Sequence, residues 1–179
     1  SDGLRIKSEE ADSMYAGMVV DTQNFNTKTG VRTFEAAAFL RRNGADVTRV
    51  RKLFRENAAE YKAKADAVSQ AEIYRSAYAI SVCNSEGLAS PTVVGAQAAN
   101  ELLDIRDVKA SFVLTEYQNK LFFSARSIDE VNVQVIMERM GGGGHLNIAG
   151  CQMENTPVEE GIAILKRTLD KMIEEGEIS

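Results

Sequence analysis

The sequence predicts an α/β fold. Two observations carry that expectation: amphipathic helical stripes alternate twice with short strand-like apolar runs, and the breaks between them hold residues that cap helices or make turns. Composition agrees with an ordinary globular chain, since 44% of the 179 residues are hydrophobic and 26% charged.

The elements follow in order. Tyr15 to Val20, apolar with paired valines and closed by Asp21, reads as a buried strand. Asn24 to Gly30 is turn-rich, and Thr33 to Asn43 reads as a helix with Thr33 as N-cap and Gly44 at its end. Asp46 suits the cap of the next helix. Phe54, Ala58, Tyr61, Ala65 and Val68 then recur at four- and three-residue steps, which predicts one long amphipathic helix joining two lobes. The lobe boundary falls between about residues 46 and 56.

A second unit begins with the alternating Tyr78, Ile80 and Val82. Ser90-Pro91 starts a helix, with proline at its first position. Ser111 to Thr115 and Leu121 to Ser127 are strand-like around a Gln118-Asn119 turn. Ser127 and Glu130 have capping-box spacing ahead of Val133, Ile136, Met137 and Met140. Gly141 to Gly144 ends that helix, Asn147 to Met153 suits another strand, and Thr156-Pro157 with Glu159 suggests a second capping box. Val158, Ile162, Leu165, Leu169 and Ile173 form the last helical stripe.

Several function classes are disfavoured. No apolar run approaches the roughly 20 residues that span a bilayer. A formal net charge of −5 argues against a general binder of long nucleic acid. Cys83 and Cys151 lie far apart outside any Cys-x-x-Cys pattern, as expected in a reducing cytoplasm. Ser1-Asp2-Gly3 lacks a methionine, so the chain is expected to be a piece of something longer.

Chemistry concentrates in Gly141-Gly142-Gly143-Gly144-His145-Leu146-Asn147. Unobstructed amides there could form a phosphate nest, His145 could donate to a phosphate oxygen, and Asn147 could pair with a base edge. The plain alternative is a hinge between helix and strand. Asp21 is either a turn aspartate or a carboxylate suited to Mn²⁺ or Mg²⁺. Arg32 and Arg126 are either surface arginines or phosphate clamps. Arg49, Arg51, Lys52 and Arg55 read as a solvated basic face, and Cys151 as a small buried residue, because no second histidine exists to activate it.

The run Gly141 to Gly150 (GGGGHLNIAG) resembles the signature of the DHH-associated domain, the substrate-binding lobe of DHH phosphoesterases. Ala16 to Phe25 (AGMVVDTQNF) resembles the last catalytic motif of the DHH lobe, and Thr29 to Ala37 continues the match. Ser124-Ala125-Arg126-Ser127 and Asn132 to Ile136 match the stretch leading to the glycines. The Leu-Asn after His145 and the Arg-Thr-Phe-Glu-Ala-Ala run are most similar to GdpP-type cyclic-di-AMP phosphodiesterases.

The resemblance implies a fold and a chemistry. Residues 1–47 would be the C-terminal remnant of the DHH catalytic lobe, 48–75 the connecting helix, and 76–179 the DHH-associated substrate-binding domain with a mixed sheet. Two Mn²⁺ ions, or Mg²⁺, would serve hydrolysis of cyclic-di-AMP to linear pApA, with Asp21 as metal ligand and catalytic residue. Arg126, Gly142, Gly143, Gly144, His145 and Asn147 would bind substrate, with Arg32 as a further phosphate contact. The His-x-Asp-x-Asp motif and the Asp-His-His triplet of the family are absent from this sequence, so the chain alone is expected to bind no metal pair and to be inactive. A homodimer is expected, partly through strand pairing of apolar surface around Met18 to Val20. The setting implied is the cytoplasm, beneath a membrane-anchored parent that this stretch does not itself anchor. Short linear nucleotides such as pApA or pAp are the alternative substrates, and a non-catalytic nucleotide- or RNA-binding module is the alternative of another kind.

Overall fold

The structure is a computed structural model and describes residues 6–179; Ser1-Asp2-Gly3 lie outside the described residues. The chain divides into two compact units, Ser1–Glu56 and Asn57–Ser179.

The first unit is helical: α1 (Ser8–Asp21), α2 (Val31–Arg42) and α3 (Val47–Leu53). The strand expected over Tyr15 to Val20 is the second half of α1. Val19-Val20 looks strand-like locally, but Ala11, Tyr15, Met18 and Val19 recur at helical spacing and all are withdrawn from water. Ala11 packs with Leu40 and Ala45 in a small core flanked by Ile6, Tyr15 and Met18. Because Met18 to Val20 are helical, they present no strand edge for self-association. Gly30, and not Thr33, is the N-cap of α2; the Thr33 hydroxyl accepts from the Gly30 N–H at 3.3 Å. Asp46 caps α3 as expected, accepting from the N–H groups of Thr48 and Arg49 at 2.8 and 3.3 Å.

The single connecting helix expected across 48–75 is two helices. The first, α3, stops at Leu53, and α4 (Ala58–Ser69) starts afresh behind Asn57, whose side chain accepts from the Glu60 N–H at 2.9 Å. The apolar stripe runs through the break because periodicity registers spacing and is blind to a cap placed between two stripes.

The second unit holds β1 (Glu72–Tyr74), β2 (Tyr78–Cys83), α5 (Pro91–Leu102), β3 (Ala110–Tyr117), β4 (Lys120–Ser127), α6 (Val133–Arg139), β5 (Gly143–Gly144), β6 (Ile148–Glu154) and α7 (Val158–Glu174). Among the described residues the strands form one mixed sheet in the order β1-β2-β3-β4-β6-β5. Only β2 and β3 are parallel, with α5 as the crossover. Gln118 and Asn119, both left-handed at φ 53° and 61°, make the two-residue turn between β3 and β4 that suits the twist of the paired strands.

Helices cover both sheet faces. On one, α6 and α7 pack against Phe112, Leu114, Leu121 and Phe123. On the other, α4 and α5 pack against Ala79, Cys83 and Val113. The strands record this: β2 is buried at nearly every position, whereas β4 alternates strictly. Residues 121, 123 and 125 of β4 point into the α6–α7 core; Phe122, Ser124 and Arg126 point to the face where helical cover runs out.

Two expected caps are differently made. Asn132 caps α6, accepting from the Gln134 N–H at 3.0 Å, while Ser127 ends β4 and donates its hydroxyl to the Val131 carbonyl at 2.6 Å. Pro157 precedes α7 with no side-chain cap, and Thr156 donates back to the Glu154 carbonyl. Neither β1 nor β5 was foreseen; each is three residues or fewer.

Candidate functional site

The glycine run does three separate things. Gly141, left-handed at φ 88°, ends α6: its N–H donates to the Glu138 carbonyl at 3.1 Å and the Gly142 N–H to the Met137 carbonyl at 2.8 Å. That double bond pattern is a Schellman stop. Gly142 then lies directly on β6, where a Cβ would collide with the Gly150 carbonyl oxygen and with Cys151. Gly143 and Gly144 pair with Gly150 and Ala149 as a two-residue edge strand. The continuous amide nest expected across the run is not formed, because the Gly141, Gly142 and His145 amides are spent on carbonyls of Glu138, Met137 and Ile148.

His145 is exposed on the turn that follows, which its N–H closes onto the Ile148 carbonyl at 2.8 Å. Asn147 holds this turn. Its carbonyl oxygen accepts from the Asp129 N–H at 3.0 Å and lies 3.1 Å from the Ser127 hydroxyl, and its amide donates to the Asp129 carboxylate at 2.6 Å. The Ser127 N–H also donates to the Asn147 main-chain carbonyl. Asn147 thus braces the His145 turn through its amide oxygen and one amide N–H.

Arg126 sits beside this turn, paired in register with Ile148 on β6 and Ser111 on β3. Its guanidinium is largely withdrawn from water. Nη1 donates to the Ala125 carbonyl at 2.9 Å, and the buried Nε has no partner. Burial pulls Arg126 below the ordinary arginine range, yet no carboxylate answers the charge among the described residues. A half-buried cation with an unpartnered buried N–H is complementary to an anion.

A shallow cavity of about 380 Å³ opens along the same strand face. Phe122, Ser124 and Gln152 form its floor, Gly142 and Gly150 its glycine side, and Thr92 of α5 its wall. Sequence reasoning missed Phe122, Ser124, Gln152 and Thr92. The alternation of β4 was a usable signal, because residues two apart on a strand share the face of Arg126. Cys151 is buried and its thiol is pushed up to about 12, which removes it as a nucleophile.

The structure brings Arg126, Gly142 to Gly144, His145 and Asn147 to neighbouring strand ends of one sheet. Asp21 and Arg32 belong to the other unit and are both exposed. Asp21 is the last residue of α1, not a strand end. Behind it Gln23, Asn24 and Phe25 are all left-handed, and the buried Thr22 hydroxyl donates to the Met18 carbonyl and accepts from the Phe25 N–H. Phe25 lies 6.0 Å from the Tyr15 ring and stacks on Phe34 at 5.7 Å. A carboxylate at a helix C-terminus faces the negative end of the dipole, and no basic residue of that turn offsets it, so a cation is the favoured neighbour.

The family described as the DHHA1 domain matches residues 77–175. A Bacillus subtilis (strain 168) protein named cyclic-di-AMP phosphodiesterase GdpP is 39% identical over 97% of this chain and 27% of its own length. A Listeria monocytogenes (serotype 1/2a, strain 10403S) protein named cyclic-di-AMP phosphodiesterase PdeA is 43% identical over 84% of this chain and 23% of its own length. The chain thus spans about a quarter of the length of these curated relatives. A solved exopolyphosphatase-related protein from Bacteroides fragilis superposes with a TM-score of 0.81 at 22% identity, over 93% of this chain and 51% of that one, a likeness of fold alone.

Proposed function

Because the chain belongs to the DHHA1 domain family, we propose that it is the substrate-binding part of a phosphodiesterase that hydrolyses cyclic-di-AMP to linear pApA. Residues 76–179 would be the binding domain and residues 1–47 the end of the catalytic lobe. The observation that carries the reading is Arg126, a half-buried arginine whose buried Nε has no partner, on the strand face of a glycine-lined opening. An anionic phosphodiester supplies what Arg126 lacks. The names of the relatives supply the substrate class.

Each residue then has a task. Arg126 holds a phosphate oxygen. Gly142, Gly143 and Gly144 keep side chains out of the approach to the strand edge. His145 donates to phosphate from the exposed turn, and Asn147 fixes that turn. Arg32 is a further phosphate contact. Asp21 is a cation ligand, set where the helix dipole favours positive charge.

The residues present do not fit the expected pair of Mn²⁺ or Mg²⁺ ions. Among the described residues no three His, Cys, Asp or Glu side chains converge, and the one histidine of the sequence is His145, in the other unit from Asp21. No hydrolytic step is therefore assigned to this chain's residues, and the chain by itself is expected to turn over no cyclic-di-AMP. Its expected setting is the cytoplasmic side of a membrane-anchored parent. Among the described residues no helix is long and apolar enough to cross a membrane. A homodimer of the 19.6 kDa chain is the expected assembly, readable by sedimentation.

The test extends the chain to the length of its curated relatives and follows Mn²⁺-dependent hydrolysis of cyclic-di-AMP and pApA in parallel. Faster cyclic-di-AMP cleavage, lost in Asp21→Ala and weakened in Arg126→Ala, is the expected result. Preference for pApA assigns the protein to short linear nucleotides instead, and cleavage of neither leaves a binding module.

A further inference from the structure

We infer that Phe122 and Gln152 form a purine-base subsite on the open face of β4 and β6, with the base stacked on the Phe122 ring and its edge read by the Gln152 amide. The inference rests on the reading above that this lobe binds a nucleotide, and it adds where the base goes. Asn147 does not line this cavity; its side chain braces the neighbouring turn through Asp129 and Ser127.

Four observations converge. Phe122 and Gln152 are direct cross-strand partners, so their side chains rise from the sheet side by side. Both line the cavity of about 380 Å³, a volume within the range of small-molecule sites. The Phe122 ring is only half-buried although its neighbours 121 and 123 are fully packed, and the Gln152 amide makes no hydrogen bond among the described residues. No residue lining the cavity carries a charge; Ser124, Thr92 and Cys151 are among the others. A neutral pocket with one aromatic face and one amide fits a planar, uncharged, hydrogen-bonding ring and repels nothing in it.

The geometry also orders the ligand. Arg126 lies on the same strand face four residues beyond Phe122, roughly 13 Å along the strand. Ser124, which lines the cavity, stands between them on the same strand face. Base at Phe122, sugar over Ser124 and phosphate at Arg126 is the arrangement this row of side chains accepts. A glutamine amide donates to adenine N7 and accepts from its N6 amino group at once, so adenine is the preferred base.

The experiment titrates the isotope-labelled chain with AMP, GMP and ribose 5-phosphate and reads backbone amides by NMR. AMP is expected to move the amides of Phe122, Ser124 and Gln152, whereas ribose 5-phosphate moves only those around Arg126. Phe122→Leu keeps the apolar bulk and removes the stacking face; it should weaken AMP by about tenfold or more and leave ribose 5-phosphate unchanged. Gln152→Ala should bring the AMP and GMP affinities together. AMP shifts confined to other residues, no AMP binding, or an unchanged AMP affinity in Phe122→Leu would overturn the subsite. The proposed function fails separately: the extended enzyme could cleave cyclic-di-AMP with an unaltered KM in Phe122→Leu, which sinks the subsite alone. Alternatively, it could cleave nothing while AMP still moves Phe122, which sinks the phosphodiesterase reading alone.

Discussion

Arg126 carries a charge that the fold does not use. Leaving the buried Nε of a half-buried guanidinium without a partner costs stability, and replacing such a group by an apolar side chain of similar length is often neutral or stabilising. Arg126→Met is therefore expected to keep or raise the melting temperature while lowering nucleotide affinity by roughly 10- to 100-fold, the size of effect of losing a hydrogen bond to a charged group. Parallel thermal melts and AMP titrations check this; a loss of stability together with unchanged binding would make Arg126 structural. At this scale the sequence was partly legible. Arg126 stood out because it sits at a strand end in a run resembling a known motif. The bracing bonds of Asn147 were not legible because its partners, Ser127 and Asp129, are 20 and 18 residues away, and single-sequence reasoning sees a free amide wherever the bonding partner is distant.

Among the elements, the glycine run is not uniform. Gly143 has open space where a Cβ would go and no left-handed backbone, so Gly143→Ala should be nearly silent. Gly141 also has space but is left-handed, so Gly141→Ala should cost about 1 kcal/mol. Gly142 would drive a Cβ into the Gly150 carbonyl and Cys151, at a cost of roughly 1–3 kcal/mol or more. Denaturant melts of the three single variants should fall in that order. A flat series would mean that the run is merely a flexible hinge. Elements with strong long-range patterns were legible: the β3–β4 pair, α5 behind its proline, and the stripe of α7. Those decided by a cap or by tertiary burial were not. The break between α3 and α4 hangs on the Asn57 side chain, and α1 is helical because its half-buried residues share a stripe, although its paired valines favour a strand.

Over the whole molecule, the class followed from alternation of helix and strand and the mixed sheet from the resemblance, while strand order did not follow, because register depends on contacts between distant segments. The helical first unit also has an electrostatic signature. Asp12 accepts from the Arg49 guanidinium at 2.7 Å and from the Asp46 N–H at 2.7 Å. The Arg49 hydrogen bond first, then the backbone bond, hold its carboxyl below the usual range; Asp46 is lowered too, by the N–H groups of Arg49 and Thr48. A carboxyl lowered in the folded state contributes stability above its unfolded pKa of about 4, and that contribution is lost as pH falls below it. Helicity of this unit should therefore decline in acid below about pH 4. Asp12→Asn should be less stable at neutral pH and less sensitive to acid, which urea melts across pH would register.

The two-residue turn at Gln118-Asn119 has a kinetic consequence. It joins β3 and β4 with almost no loop to close, whereas the parallel β2–β3 pairing must first close a crossover that contains the whole of α5. The hairpin is the natural nucleus, and the parallel seam forms after it. Truncations such as Phe123→Ala should then slow refolding, while Val82→Ala should mainly hasten unfolding. On that order the sheet is expected to assemble from β4 outward.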